Sequence, residues 1–332
     1  MAVQQLPIPG PVSSASKQAI AGIVAIGAGT AAYAGQDILM KDLLDRHSLW
    51  LLVVVRLAIT VVLLSGTIVF IGGRHRFVSS HFKLHALRGF LMSISFAAFY
   101  TALPSMTLAA AATISYSFPF FVTVLAIAFF GERIGWRRVA ALLTGFSGVI
   151  VTMRPGSELF DPISLLPLLG AFAYAVVLVL LRRVGDSESS VTVALHSATW
   201  FGIFTLLNGY ILTLVVGPID GFSHLDWRWT MPPATEFLTI AVLGVCGFIG
   251  LTMSSRAYQI APASFIAPFD YAYLGWAALF GFVFFGTVPS GYTLIGMGLI
   301  VGAGLYVGRR ELMQLRRLEA EARAAERVRE IV

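Results

Sequence analysis

The chain has 332 residues, of which 57% are hydrophobic and only 12% charged, and its mean hydropathy is +0.83. Soluble domains average about 25% charged residues, so this composition excludes a water-soluble fold. The net charge of +6 is no nucleic-acid footprint, because the basic residues gather at the ends of apolar segments and in the C-terminal tail. The single cysteine, Cys246, lies inside an apolar segment, which leaves no disulfide framework and no cysteine cluster for a metal.

Met1 to Lys17 is rich in Pro, Ser and Gln and lacks a small-residue cleavage site after an apolar core, so residues 1–17 are expected to be a disordered cytosolic tail. Apolar segments long enough to cross about 30 Å of hydrocarbon follow. The first five run from Ile20 to Met40, Leu49 to Ile71, Ala86 to Ser105, Leu108 to Phe130 and Trp136 to Val151. A loop with Pro155, Gly156 and Pro162 comes next. Five more run from Ile163 to Leu181, Val191 to Val216, Glu236 to Tyr258, Pro262 to Phe285 and Pro289 to Val307. The fold class is therefore all-α integral membrane with ten transmembrane helices. Residues 18–156 and 157–308 are the two halves, and 309–332 form a charged C-terminal helix with Leu312, Leu315 and Leu318 along one side.

The halves look like copies. Phe129-Phe130-Gly131 closes the fourth segment and Phe284-Phe285-Gly286 the ninth, an offset of 155 that also lays Tyr116 on Tyr271 and Gly89 on Gly244. Loops rich in Lys and Arg stay cytoplasmic. With the N-terminus inside, 17 of the 23 basic residues fall on the cytoplasmic side and four outside, so both termini are expected in the cytoplasm and the C-terminal helix near the inner membrane surface and its lipids. Five spans per half make the two an inverted pair, an arrangement that places a site near the midplane between repeats.

Polar groups inside hydrocarbon are costly and usually face protein or a water-filled cavity. Of 17 acidic residues only Asp270 lies well inside a segment, about eight residues into the ninth, with Asp37 near the outer end of the first. Asp270 is the candidate for proton coupling or for holding a cationic substrate group; its structural alternative is a buried ion pair or hydrogen bond that fixes helix packing, with Arg256 as candidate partner. Helical spacing puts Asp270, Tyr273 and Leu274 on one stripe and Phe269, Tyr273 and Trp276 on an overlapping one. The inverted counterpart carries Ser115 and Tyr116 before Pro119. Candidate substrate-binding residues are thus Asp270, Tyr271, Tyr273, Trp276, Tyr116, Ser115 and Tyr100; packing is the plainer use of such aromatic rings. Candidate coupling or gating residues are Asp270, Arg256, Arg56, Asp37 and Glu132, with Arg56 close enough to Asp37 to pair with it. Pro119 and Pro268 each free a backbone carbonyl one turn earlier.

Ala109 to Ala112 leading to Pro119-Phe120, then Phe129-Phe130-Gly131-Glu132-Arg133, then Gly145, Gly148 and Met153-Arg154-Pro155-Gly156 resemble the EamA-like repeat of the drug/metabolite transporter superfamily, and the second half resembles a diverged copy. The resemblance spans roughly Ile20 to Arg310. It implies ten spans in two inverted repeats and alternating-access transport of amino acids, nucleosides or other small metabolites. Thr287 stands where the second copy's acid is expected, which sets Glu132 apart from it. Glu132 beside Arg133 then reads as a gate or ion pair at the cytoplasmic end.

The reading is a secondary transporter of small organic metabolites, amino acids or ring-bearing compounds, with export as the expected direction, in a bacterial inner membrane. One repeat would rock against the other around a midplane cavity, with protons as candidate coupling ion. No enzyme activity, cofactor, metal or nucleic acid is expected, and a homodimer is a candidate assembly. The alternatives are a polytopic membrane enzyme, for which no nucleophile, base or metal-ligand motif is present, and a non-transporting receptor or scaffold.

Overall fold

The computed structural model describes residues 12–71, 73–131, 135–158, 160–184, 188–230, 232–260 and 266–331. Its helices are α1 (Val12–Leu44), α2 (Leu49–Phe70), α3 (Phe82–Ala102), α4 (Leu108–Ser115), α5 (Phe118–Phe130), α6 (Trp136–Met153), α7 (Leu165–Val184), α8 (Ser190–Val215), α9 (Ala234–Ile260), α10 (Ala272–Phe285) and α11 (Gly291–Ile331). The described residues include nine segments long and apolar enough to cross a membrane, one of them made of α4 and α5 and another opening on Pro268 ahead of α10. Outside that set, α6 is 18 residues long and carries Arg137 and Arg138 in its first turn. Helix α1 begins at Val12 and takes in the end of the stretch expected as a tail. The charged C-terminal segment is no separate helix but the continuation of α11 to Ile331; the side chains of Leu312, Leu315 and Leu318 lie outside the described residues.

Two segments expected as continuous helices are interrupted, at equivalent places. Pro119 has no N–H for the Ser115 carbonyl and its ring crowds that oxygen, so the helix stops at Ser115 and restarts at Phe118. In the second half a 3₁₀ turn, Ala267–Tyr271, with Pro268 near its start, precedes α10. Tyr116 and Tyr271 both stand at these breaks. The repeated Phe-Phe-Gly has a local reason as well: Gly131 and Gly286 end their helices in the left-handed region, φ 64° and 63°, which glycine adopts without Cβ strain.

Packing is organised between the halves rather than within them. Helix α1 packs along α9, and α3 along α7; α2 lies on α9 and α8 on α3; α10 lies on α1, and α5 on α7. Exchanging the halves maps each member of these pairs onto the other, while α2–α8, α4–α10 and α6–α11 map onto themselves. The result is two mixed bundles, α1/α2/α9/α10 and α3/α4–α5/α7/α8, meeting at α2–α8 and α4–α10, with α6 and α11 paired beside them. The repeats therefore interleave, and the bodies that the packing defines are the mixed bundles rather than the repeats. Small residues allow the close crossings: a Cβ on Gly148 of α6 would lie 2.6 Å from the Gly296 carbonyl oxygen of α11.

Candidate functional site

Asp37 on α1 is the hub of a buried polar network at the contact between the bundles. The Tyr100 hydroxyl of α3 donates to its Oδ1 at 2.7 Å, and the Tyr273 hydroxyl of α10 donates to Oδ2. Tyr100 in turn accepts from Arg56 Nη1 of α2 at 3.0 Å and from Gln36 Nε2 at 3.2 Å. The expected Asp37–Arg56 pair thus exists only through the tyrosine between them. A phenol can donate to a carboxylate and accept from a guanidinium at once, so one hydroxyl ties both charges down. Arg56 is further caged by the faces of Phe96, Tyr100 and Phe201, with ring centroids 5.1, 5.4 and 5.8 Å from its guanidinium carbon.

Beside this network, Tyr116 joins the halves. Its ring stacks on Tyr273 at 5.6 Å and 18°, tilts against Tyr271 at 5.6 Å, and its hydroxyl donates to the Asp270 backbone carbonyl at 2.9 Å. That carbonyl belongs to the 3₁₀ turn Ala267–Tyr271. Asp270 is on the turn and not on the helical stripe shared with Tyr273: its carboxylate accepts from Tyr258 of α9, while Tyr273 reaches Asp37. The Asp270–Arg256 pair is likewise not formed; Arg256 is exposed. Tyr258 went unnoticed in the sequence, although it lies two residues before the end of α9, at the mouth of the short connection leading to Asp270. The Tyr271 ring lies where a side chain on Gly304 of α11 would otherwise be, and Tyr33 does the same at Gly250 of α9.

Of the remaining candidates, Ser115 ends α4, half-buried at the break. Trp276 is not brought to the tyrosine cluster: it tilts against Phe280 at 5.7 Å and lines an open apolar groove of about 410 Å³ with Ile23 and Gly27 of α1. Glu132 and Arg133 lie outside the described residues. Among the described residues no group of three or more His, Cys, Asp or Glu side chains is placed to hold a metal.

Each bundle is also stapled at one end by a glutamate and histidines, in pseudo-symmetric positions. Where α2 and α9 begin, Glu236 meets His47 and, at 3.0 Å, Arg46 Nε. Where α3 and α8 begin, Glu188 accepts from Ser79 Oγ at 2.6 Å, the Ser80 N–H at 2.8 Å and the His81 N–H at 3.2 Å, and contacts His85 Nε2 at 2.8 Å. Burial alone would raise the Glu188 pKa, but the hydrogen bonds from Ser79, His85, His81 and Ser80 outweigh it and hold the carboxyl well below the usual range.

The chain matches the EamA-like transporter family twice, over residues 20–154 and 162–308. It is 28% identical over 239 residues to an S-adenosylmethionine uptake transporter of Rickettsia felis, covering 72% of this chain and 76% of that protein. It is 28% identical over 265 residues to a riboflavin transporter of Vibrio cholerae, covering 79% and 84%. A protein of known crystal structure shares the fold with a TM-score of 0.55 at 20% identity, over 92% of this chain and 99% of that one. With two family repeats packed around a shared polar centre, the chain belongs to the EamA-like transporter family and is a multi-pass membrane transporter, not an enzyme.

Proposed function

We propose that the protein is a secondary transporter of small organic metabolites that works by alternating access around the tyrosine cluster between its two mixed bundles. The observation that carries this reading is the Tyr116 contact with Tyr273, Tyr271 and the Asp270 carbonyl, because it joins broken helices from both repeats where the bundles meet. Broken spans at a repeat interface are where such transporters bind their cargo. In this reading Tyr116, Tyr271, Tyr273, Ser115 and Tyr100 shape the site, Asp270 holds a substrate cation or a coupling proton, and Asp37 with Arg56 sets the strength of closure. The bodies that move are the mixed bundles. Ten spans in repeats 18–156 and 157–308, both termini in the cytoplasm and a bacterial inner membrane complete the proposal, supported by the excess of basic residues on one side.

Relatives named for S-adenosylmethionine and for riboflavin both handle ring-bearing metabolites, which favours a substrate of that kind. Export is the direction expected from the sequence, whereas the Rickettsia felis protein is named for uptake. The test is therefore counterflow and net flux of labelled S-adenosylmethionine, riboflavin and aromatic amino acids in proteoliposomes, in both directions, with and without a pH gradient. Flux of at least one compound that Tyr116→Ala abolishes is the expected result. Absence of flux for every compound under every gradient would sink the reading.

A further inference from the structure

Lys41 carries a charge that neither the Asp37 network nor the tyrosine cluster uses. It stands one helical turn beyond Asp37 on the same face of α1, half-buried, and among the described residues no carboxylate pairs with it; Asp42 is taken by Arg46. Its ammonium donates instead to the Leu103 carbonyl at 2.8 Å and to the Met106 carbonyl. Leu103 opens the 3₁₀ turn Leu103–Ser105 that ends α3, and Met106 lies in the connector to α4. Carbonyls at the C-terminal end of a helix lack helical partners and carry partial negative charge, so a lysine is a matched donor for them. On its own bundle the ammonium faces the ring of Phe285, 5.8 Å away at the end of α10, the second phenylalanine of the repeated Phe-Phe-Gly.

The position of these bonds matters because α1 and the α3–α4 connector belong to different mixed bundles. Among the described residues, side-chain hydrogen bonds between the bundles fall into two groups. Tyr116 to the Asp270 carbonyl lies at the helix breaks. The others run from Gln36, Asp37 and Lys41 of α1 and Arg56 of α2 to Tyr100 in the last turn of α3 and to the carbonyls just after it. Lys41 is the outermost of that group, nearest the end at which α1 gives way to α2. There Met40, Leu43 and Leu103 are fully buried, whereas beyond the breaks Asp270 is only half-buried and its partner Tyr258 is exposed. The polar centre is thus sealed on the Lys41 side.

We propose that Lys41 is the latch of this end of the transport path: its bonds to the Leu103 and Met106 carbonyls hold the two bundles shut beyond Asp37 and Tyr100, and the path opens there when Lys41 lets go of the α3–α4 connector. This rests on the transporter reading above and adds the residue that governs one of its two openings. A latch must hold firmly and still release. An ammonium bonded to backbone carbonyls meets both needs, since charge-assisted bonds are strong while release leaves two neutral carbonyls and a cation on a flexible stem that can reach water. A carboxylate in place of those carbonyls would leave a second charge to be rehydrated on every opening. The Phe285 ring stays beside Lys41 in either state, because both belong to the same bundle.

The test reads the distance between the two bodies at this end. Asp45, before α2, and Ser105, before α4, are both exposed, so Asp45→Cys and Ser105→Cys in a Cys246→Ser background put spin labels on opposite bundles of the full chain in nanodiscs. Pulsed dipolar spectroscopy should show mainly one short distance while Lys41 is present. Lys41→Met should raise the ratio of a longer distance to the short one by about tenfold or more, the effect expected from losing a charge-assisted hydrogen bond, in a protein whose thermal midpoint shows it folded. Lys41→Arg, which keeps a charged donor, should retain most of the short population. If Lys41→Met does not fold, a short reducible cross-linker between the two introduced thiols should stop proteoliposome flux in the protein with Lys41, and reduction should restore it. An unchanged distance distribution in folded Lys41→Met, an equal shift in Lys41→Arg, or flux that survives cross-linking would overturn the latch while leaving the transporter reading intact. Absence of flux for every compound in the unlabelled parent sinks the transporter reading instead, and the distance measurement does not depend on it.

Discussion

Tyr116 and Tyr273 stack with 18° between their rings at 5.6 Å, one from the break in the first repeat and the other from the first turn of α10 in the second. Each is also tethered by its hydroxyl, Tyr116 to the Asp270 carbonyl and Tyr273 to the Asp37 carboxylate. The stack therefore lies across the contact between the mixed bundles, and any motion of those bodies must slide or part it.

The first prediction concerns Tyr116 and Trp276, two aromatic residues that sequence reasoning treated alike. Tyr116→Ala removes the ring joining both repeats and should lower flux by at least about tenfold, or roughly 1.4 kcal/mol of activation free energy. Trp276→Phe, in the groove beside α1, should leave flux within about twofold. Initial rates in proteoliposomes at matched protein incorporation check this; equal losses would remove the distinction between cluster and groove.

Tyr100 carries a heavier structural role than its single hydroxyl suggests. Tyr100→Phe leaves Asp37 with one donor fewer and takes from Arg56 the acceptor of its Nη1, so it should destabilise the protein by about 1–3 kcal/mol for each buried group left unsatisfied. Combined with Arg56→Met, it should cost clearly less than the sum of the single changes, because both cut the same connection. Thermal unfolding in detergent across the double-mutant cycle measures the coupling, and strict additivity would show that the relay contributes nothing.

Glu188 gives a pH signature. Its folded-state pKa is depressed, so its stabilisation is fully present above the ordinary value of 4.5 and is lost only as pH falls through the lower folded value. Glu188→Gln should therefore lower the thermal midpoint at pH 7, by the equivalent of about 1–3 kcal/mol from weakened charge-assisted bonds, and the gap from the parent protein should narrow as the medium is acidified well below pH 4.5. A gap independent of pH would mean that the carboxylate charge is not what holds the loop before α3.

At the α6–α11 crossing, Gly148→Leu places a side chain where 2.6 Å separates a Cβ from the Gly296 carbonyl oxygen. The backbones must part, costing about 1–3 kcal/mol or more. Gly275, with open space at its Cβ position, should accept alanine with no loss of expression or midpoint. Fluorescence-detected size-exclusion profiles of the two variants provide the comparison.

Much of the architecture was legible in the sequence because its causes are local. Hydrocarbon thickness sets segment length, which is why Leu49 to Ile71 and Val191 to Val216 coincide with α2 and α8 to within a residue or two. Pro119 marks a break wherever it stands in a helix, and Gly131 and Gly286 mark left-handed ends for a reason that belongs to the residue alone. That Asp37, Arg56, Tyr116, Tyr271 and Tyr273 stand out as candidates followed from the cost of polar groups in hydrocarbon.

Which of these groups meet was not legible, because partners in a bundle are set by helix rotation and by which helices are neighbours. A helical stripe put Asp270 with Tyr273, whereas the 3₁₀ turn sends Asp270 to Tyr258 and leaves Tyr273 for Asp37. Charge proximity suggested that Arg256 would neutralise Asp270, whereas Arg256 is exposed, and Arg88, counted only as a cytoplasmic charge, is buried as Arg56 is. The sequence by itself determined a duplicated membrane chain, its segment lengths and its breaks, since these depend on local hydropathy and backbone geometry. Only the tertiary structure decided that the repeats interleave into mixed bundles, and hence which polar groups meet, because that choice depends on how the helix surfaces fit together.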